Sequence, residues 1–145
     1  MASLPPVHRP YGIGAPQHRL QRNREADSRR GSARKRGYTT QWDRASKAHL
    51  RDHPLCIGCG AVGHTVEAKV VDHVEPHRGD MVKFWNRDMW QGCCTWHHDT
   101  VKQRMERMLA TGEATLEDMW LTSDLAKKIT ISMKFSCATP GDQNL

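Results

Sequence analysis

The chain has 145 residues, room for one domain, and only 37% of them are hydrophobic, a thin supply for a core without outside bracing. Its net charge of +6 is concentrated: residues 1–37 hold nine Lys/Arg against Glu25 and Asp27, a local +7 that leaves the remainder at −1. No apolar run has the length of a membrane helix, and Met1-Ala2-Ser3-Leu4-Pro5-Pro6 carries no apolar signal core, which points away from membranes and export and toward the cytoplasm, where five cysteines read better as metal ligands than as disulfides.

Residues 1–36 are rich in Pro, Gly, Ser and Arg and lack apolar periodicity, so they read as a disordered basic arm. Arg29, Arg30, Arg34, Lys35 and Arg36 are its densest stretch. Such an arm suits phosphate contact with DNA, and a solubilising tail would have the same composition. Thr39 or Thr40 then caps a helix running to about Asp52, with Trp42, Ala45, Ser46, His49 and Leu50 on one face. That spacing assigns Trp42 to the core and leaves His49 packed or half-exposed.

Cys56 and Cys59 stand in a C-x2-C spacing, with Gly58, Gly60 and Gly63 easing the turn. His64–Ala68 and Val70–Val74 read as two strands, the second carrying Asp72 and His73 to its end. A carboxylate suits a hard cation and a neighbouring imidazole suits proton abstraction. Consecutive strand residues point to opposite faces, so Asp72 and His73 serve one site only if the strand bends, as Pro76 and Gly79 allow. Phe84, Trp85 and Trp90 form a dense aromatic stretch, suited to stacking on bases but favoured here as core.

Cys94 and His97 repeat the two-residue spacing as C-x2-H. Two such turns supply three sulfurs and one nitrogen for a tetrahedral zinc ion, closing a loop of the 34 residues between Cys59 and Cys94. His64 is then surplus as a ligand, Cys93 reads as core and Cys137 as a free thiol in the tail. A helix should run from near Trp96 to about Ala110, stopping before Gly112, with His98, Val101, Lys102, Met105, Met108 and Leu109 facing inward. His97 and His98 project about 100° apart, so one can face zinc and the other the strands. Lys102 lies one turn beyond His98, placed either to meet a phosphate or to stay solvated. Thr115–Trp120 and Ser123 to about Ile131 read as short closing helices, the second capped by Ser123, and residues 135–145 as a flexible tail.

C-x2-C, then Val71-Asp72-His73-Val74-Glu75-Pro76-His77-Arg78-Gly79-Asp80, then Phe84-Trp85 and Trp90-Gln91, then C-x2-H followed by His98, is an order that resembles the HNH endonucleases. It is most similar to the small ones of bacteriophages and prophages encoded near DNA-packaging genes. The resemblance spans roughly residues 24–131 and is strongest over 56–103. It implies an α+β fold: a small zinc-braced ββα-metal (HNH, His-Me finger) domain over 37–134 with flanking helices, between the arm of 1–36 and the tail of 135–145. The implied activity is metal-dependent DNA endonuclease in the cytoplasm of a bacterial host, linked to packaging, with DNA and a phage terminase or portal protein as partners.

The resemblance also implies roles. His73 is the general base, Asp72 and His98 hold a catalytic Mg2+ or Mn2+, and zinc at Cys56, Cys59, Cys94 and His97 is structural. His77 and Arg78 follow the base closely, where they would hold neighbouring phosphates. Two positions depart from the pattern. The middle Asn of the family is Met89 here, with Asn86 three residues earlier as a substitute, and the fourth zinc ligand, usually Cys, is His97. A non-catalytic zinc module of the same fold, binding DNA or a packaging protein, and a host restriction or repair nuclease are the alternative readings.

Overall fold

The computed structural model describes residues 16–133, and the chain divides into two units, residues 1–36 and 37–145. In the first unit Pro16–Arg30 forms helix α1, which corrects the expectation of a disordered arm across those residues. Pro suits a first helical position, and the Gln, Arg, Glu and Ala that follow are helix formers. The helix has no apolar stripe, so hydrophobic periodicity could not reveal it. In the turn that follows, Arg34 and Lys35 are exposed, and the Ser32 hydroxyl accepts from the Lys35 N–H at 3.2 Å. Residues 1–15, which contain the start of the expected arm, and the expected tail with Cys137 lie outside the described residues.

The second unit opens with α2 (Thr40–Asp52), whose N-cap Thr39 accepts from the Trp42 N–H. A one-turn helix, α3 (Ile57–Ala61), spans the first cysteine pair. Strand β1 (Val70–His73) follows, then α4 (Met81–Phe84), where the Asp80 carboxylate caps the N–H groups of Val82 and Lys83 at 2.9 and 3.2 Å. A 3-10 turn (Arg87–Met89) leads into β2 (Trp90–Cys93). A π-helical turn (His97–Lys102) continues as α5 (Gln103–Thr111), ended by Gly112 in the left-handed region at φ 79°, which glycine adopts without a Cβ clash. After a second 3-10 turn (Glu117–Met119), α6 (Asp124–Ser132) is capped by Ser123, whose hydroxyl accepts from the Ala126 N–H at 3.1 Å.

The sheet has two antiparallel strands, pairing Val70 with Cys93, Val71 with Gly92, Asp72 with Gln91 and His73 with Trp90. The expected strand over 64–68 does not form, and β1 pairs with 90–93 instead. Part of the backbone of 64–68 is engaged elsewhere: Val66 C=O accepts from Cys56 N–H and Ala68 N–H donates to Pro54 C=O, both at 2.8 Å, which ties this segment to the Cys56–Cys59 turn and the residues before it. A single bridge between Leu55 and Glu67 is its only strand-like pairing.

Opposed residues of an antiparallel pair share a face. Val71, His73 and Trp90 face a small aromatic core with Trp42 and Phe84. Asp72, Gln91 and Cys93 face the larger core, built with Val101, Met105, Met119, Leu121, Ala126 and Ile129 around the cysteines. The strand therefore does not bring Asp72 and His73 to one face. It puts one on each side of the sheet.

Candidate metal centre and the strand end beside it

Cys56, Cys59, Cys94 and His97 converge, all buried, with their ligand atoms within 4.8 Å of one another. His97 Nδ1 lies 3.6, 3.4 and 3.3 Å from the sulfurs of Cys56, Cys59 and Cys94, and the Cys59 and Cys94 sulfurs are 3.8 Å apart. Tetrahedral zinc with ordinary bond lengths needs about 3.8 Å between sulfurs and about 3.5 Å between sulfur and nitrogen. The donor set and its spacing thus fit a zinc ion held by four protein ligands. Two backbone N–H groups, of Cys59 and His97, point at the Cys56 and Cys94 sulfurs at 3.4 and 3.5 Å, as in a knuckle that stabilises thiolate. The shared hydrogen bond with Cys94, together with burial, holds the Cys56 thiol above its ordinary pKa.

His97 is oriented from behind. Its Nε2 lies 3.2 Å from Thr130 Oγ1, and that hydroxyl donates its own proton to Ala126 C=O at 2.7 Å. Thr130 can therefore only accept from Nε2–H, which places the proton on Nε2 and the lone pair on Nδ1, facing the sulfurs. Gly58 makes the approach possible: a Cβ there would lie 2.5 Å from His97 Cδ2.

On the other side of the sheet, His73 Nε2 lies 3.0 Å from Phe84 C=O, which also accepts from the Trp90 indole at 2.9 Å. A carbonyl only accepts, so Nε2 carries the proton and Nδ1 the lone pair. Trp42 stacks on the ring with centroids 5.0 Å apart, and Phe84 and His77 pack beside it. Burial lowers the His73 pKa to about 4, outweighing the Phe84 carbonyl, which favours the charged form.

Asp72 faces Lys102, whose ammonium is 1% exposed and lies 3.0 Å from Asp72 Oδ2 and 3.3 Å from Oδ1. The same ammonium donates to His73 C=O at 2.7 Å and to Glu106 Oε1 at 2.9 Å. Gln91 Nε2 donates to Asp72 Oδ2 at 2.7 Å and to Met119 C=O at 3.1 Å, while its own Oε1 accepts from the Leu121 N–H at 2.9 Å. Burial raises the Asp72 pKa, and Lys102 and Gln91 oppose that rise.

No family model, curated protein or solved structure matches the chain.

The residues expected around the strand end are thus partly gathered and partly dispersed. His98 Nδ1 lies 2.6 Å from Asp99 Oδ1, and no hydrogen bond joins it to Asp72 among those of the described residues. Lys102, read as a phosphate contact or a solvated lysine, is neither: it is the buried partner of Asp72. Arg78 is exposed in a tight turn at φ 47°, beside the half-buried His77, whose Nδ1 accepts from the Gly79 N–H at 3.1 Å. Asn86 is exposed and caps the turn before β2 through the Asp88 N–H at 3.3 Å, while Met89 packs partly buried against the larger core. His64 is exposed and is not one of the four clustered residues, though its backbone N–H donates to Cys59 C=O at 2.9 Å, and Cys93 is core, as expected. Arg29 is exposed; Arg30 ends α1, its side chain outside the described residues, and Arg36 is half-buried. Sequence reasoning missed Thr130, Gln91 and Glu106. The only signal for the first was a threonine on the inward side of a late helix.

Proposed function

We propose that the chain is an HNH-type DNA endonuclease that hydrolyses phosphodiester bonds, with His73 as the base that takes a proton from water. The observation that carries this is the His73 imidazole, neutral at pH 7 and fixed by Phe84 so that Nδ1 is the acceptor. As Nδ1 takes the proton, Phe84 C=O keeps the other N–H engaged and holds the ring's direction. Support also comes from the order strand β1, a short helix and 3-10 turn, strand β2, then the turn that leads into α5. The exposed basic residues of α1 and its following turn suit contact with a polyanion. The links to a terminase or portal protein and to the bacterial cytoplasm rest on the resemblance alone.

The resemblance also implies Mg2+ or Mn2+ at Asp72 and His98. The residues as they stand do not fit it: both Asp72 oxygens are engaged, and the Lys102 ammonium already supplies the positive charge there. This favours a second reading, a zinc module of the same kind that binds DNA without cutting it. Plasmid DNA incubated with the zinc-loaded protein in Mg2+, Mn2+ or no added cation separates the two. Nicking by the parent, lowered roughly 10²–10⁴-fold by His73→Ala, supports the nuclease. DNA binding with no nicking in any cation supports the module.

A further inference from the structure

Lys102 is the most deeply buried charge in the described chain, and its surroundings are unlike those of an ordinary ion pair. Four oxygens surround Nζ: Asp72 Oδ1 and Oδ2, Glu106 Oε1 and the His73 carbonyl, at 2.7 to 3.3 Å. Carboxylates and a backbone carbonyl are the donors that hard cations take. One of them, Glu106, has a side chain 34% exposed, so the cage opens to solvent on that side. The cage also spans three pieces of the fold, because Asp72 and His73 end β1 while Lys102 closes the π-helical turn and Glu106 lies on α5.

We infer that Lys102 is a resident cation: its ammonium fills an oxygen cage made by Asp72, Glu106 and the His73 carbonyl, and a divalent cation enters that cage only in its place. This rests on the geometry of the cage and deepens the proposed function by stating what a catalytic ion at Asp72 would have to displace. Removing the lysine leaves two carboxylates facing each other, one of them buried, with no counter-charge. Removing one partner of a buried ion pair is strongly destabilising, because the survivor has no water to turn to. Removing Asp72's charge as well takes that burden away. A divalent cation supplied from solution takes it away too.

The test uses the full-length, zinc-loaded chain in metal-scrubbed buffer, with Ca2+ as the probe because it prefers oxygen donors and leaves a thiolate zinc site alone. Lys102→Met should melt at least ~10 °C below the parent without Ca2+ and recover most of that loss at millimolar Ca2+. The parent should melt at the same temperature with and without Ca2+. The double variant Asp72→Asn with Lys102→Met should be more stable than Lys102→Met alone and indifferent to Ca2+. Three results overturn the inference: a Lys102→Met protein as stable as the parent, a destabilised one that Ca2+ does not rescue, or a parent stabilised by Ca2+ through Asp72. None of these readouts involves DNA, so a failure to nick plasmid leaves the inference standing, and its failure leaves the nuclease reading to its own assay.

Discussion

Thr130 Oγ1 lies 3.2 Å from His97 Nε2 and donates to Ala126 C=O, so a hydroxyl on the last helix sets the tautomer of a candidate metal ligand 33 residues earlier. Thr130→Val keeps the shape and removes the acceptor. Loss of such an outer partner typically weakens metal binding 10–100-fold. Competition with a chromophoric chelator should show that loss, and Thr130→Ser should restore most of it. Equal affinities for parent and Thr130→Val would mean that His97 needs no orienter.

The purified chain should carry one zinc. Structural zinc supplies folding free energy on the order of 10 kcal/mol in small domains, so Cys56→Ser or Cys94→Ser should abolish cooperative unfolding. Gly58→Ala should act through space alone, since its Cβ would meet His97 Cδ2 at 2.5 Å and push the ring off the cluster. A well-folded, zinc-free Cys56→Ser protein would contradict the metal centre. A Gly58→Ala protein with full zinc affinity would show that the turn gives way.

His73 predicts a pH dependence with a definite sign. Its folded pKa is about 4, against an ordinary value of 6.5. Between those values the unfolded chain binds a proton that the folded chain refuses. Stability is therefore whole above about pH 6.5 and declines as pH falls toward 4, by about 2 kcal/mol at pH 5 from this group. Urea midpoints at pH 7 and pH 5 should drop more for the parent than for His73→Leu, because acid loss at the zinc ligands is common to both. Identical drops would show that His73 is not held neutral by its surroundings.

Met89 occupies the position where the resemblance calls for Asn. Its backbone already ties the loop, since Val74 N–H donates to Met89 C=O at 2.8 Å, and its side chain packs partly buried on the larger core. Met89→Asn should lower stability by roughly 1–3 kcal/mol through a poorly partnered amide. If the nuclease reading holds, it should also raise nicking several-fold by steadying the loop that carries the base. Rate and melting temperature measured together decide the matter. A folded variant that is no faster removes Met89 from that role, and Asn86→Ala then tests whether the capping asparagine fills it.

Much of the site was legible because it is local. A two-residue spacing between ligands is a property of one turn, so C-x2-C and C-x2-H pointed to the Cys3His cluster that the fold assembles. The cap at Thr39, the stop at Gly112 and the burial of Trp42 and Phe84 are local or periodic in the same way. The basic helix α1 was missed for the complementary reason: a helix without an apolar face leaves no period to detect.

Tertiary structure alone decided which strand pairs with β1 and what Lys102 does. The run Val70–Val74 announces a strand but not its partner, and the nearest segment, 64–68, was the natural choice because a short loop closes at small entropic cost. In the folded chain that segment is hydrogen-bonded to Pro54 and Cys56, and 90–93 pairs with β1. The inward stripe of the last long helix did include Lys102, yet an ammonium is buried only where acceptors wait, and its acceptors at Asp72 and His73 lie some 30 residues away in sequence. Sequence determined the Cys3His cluster, whose members come in neighbouring pairs. The fold determined the cation at Asp72, whose partners meet only after the strands and the helix have packed.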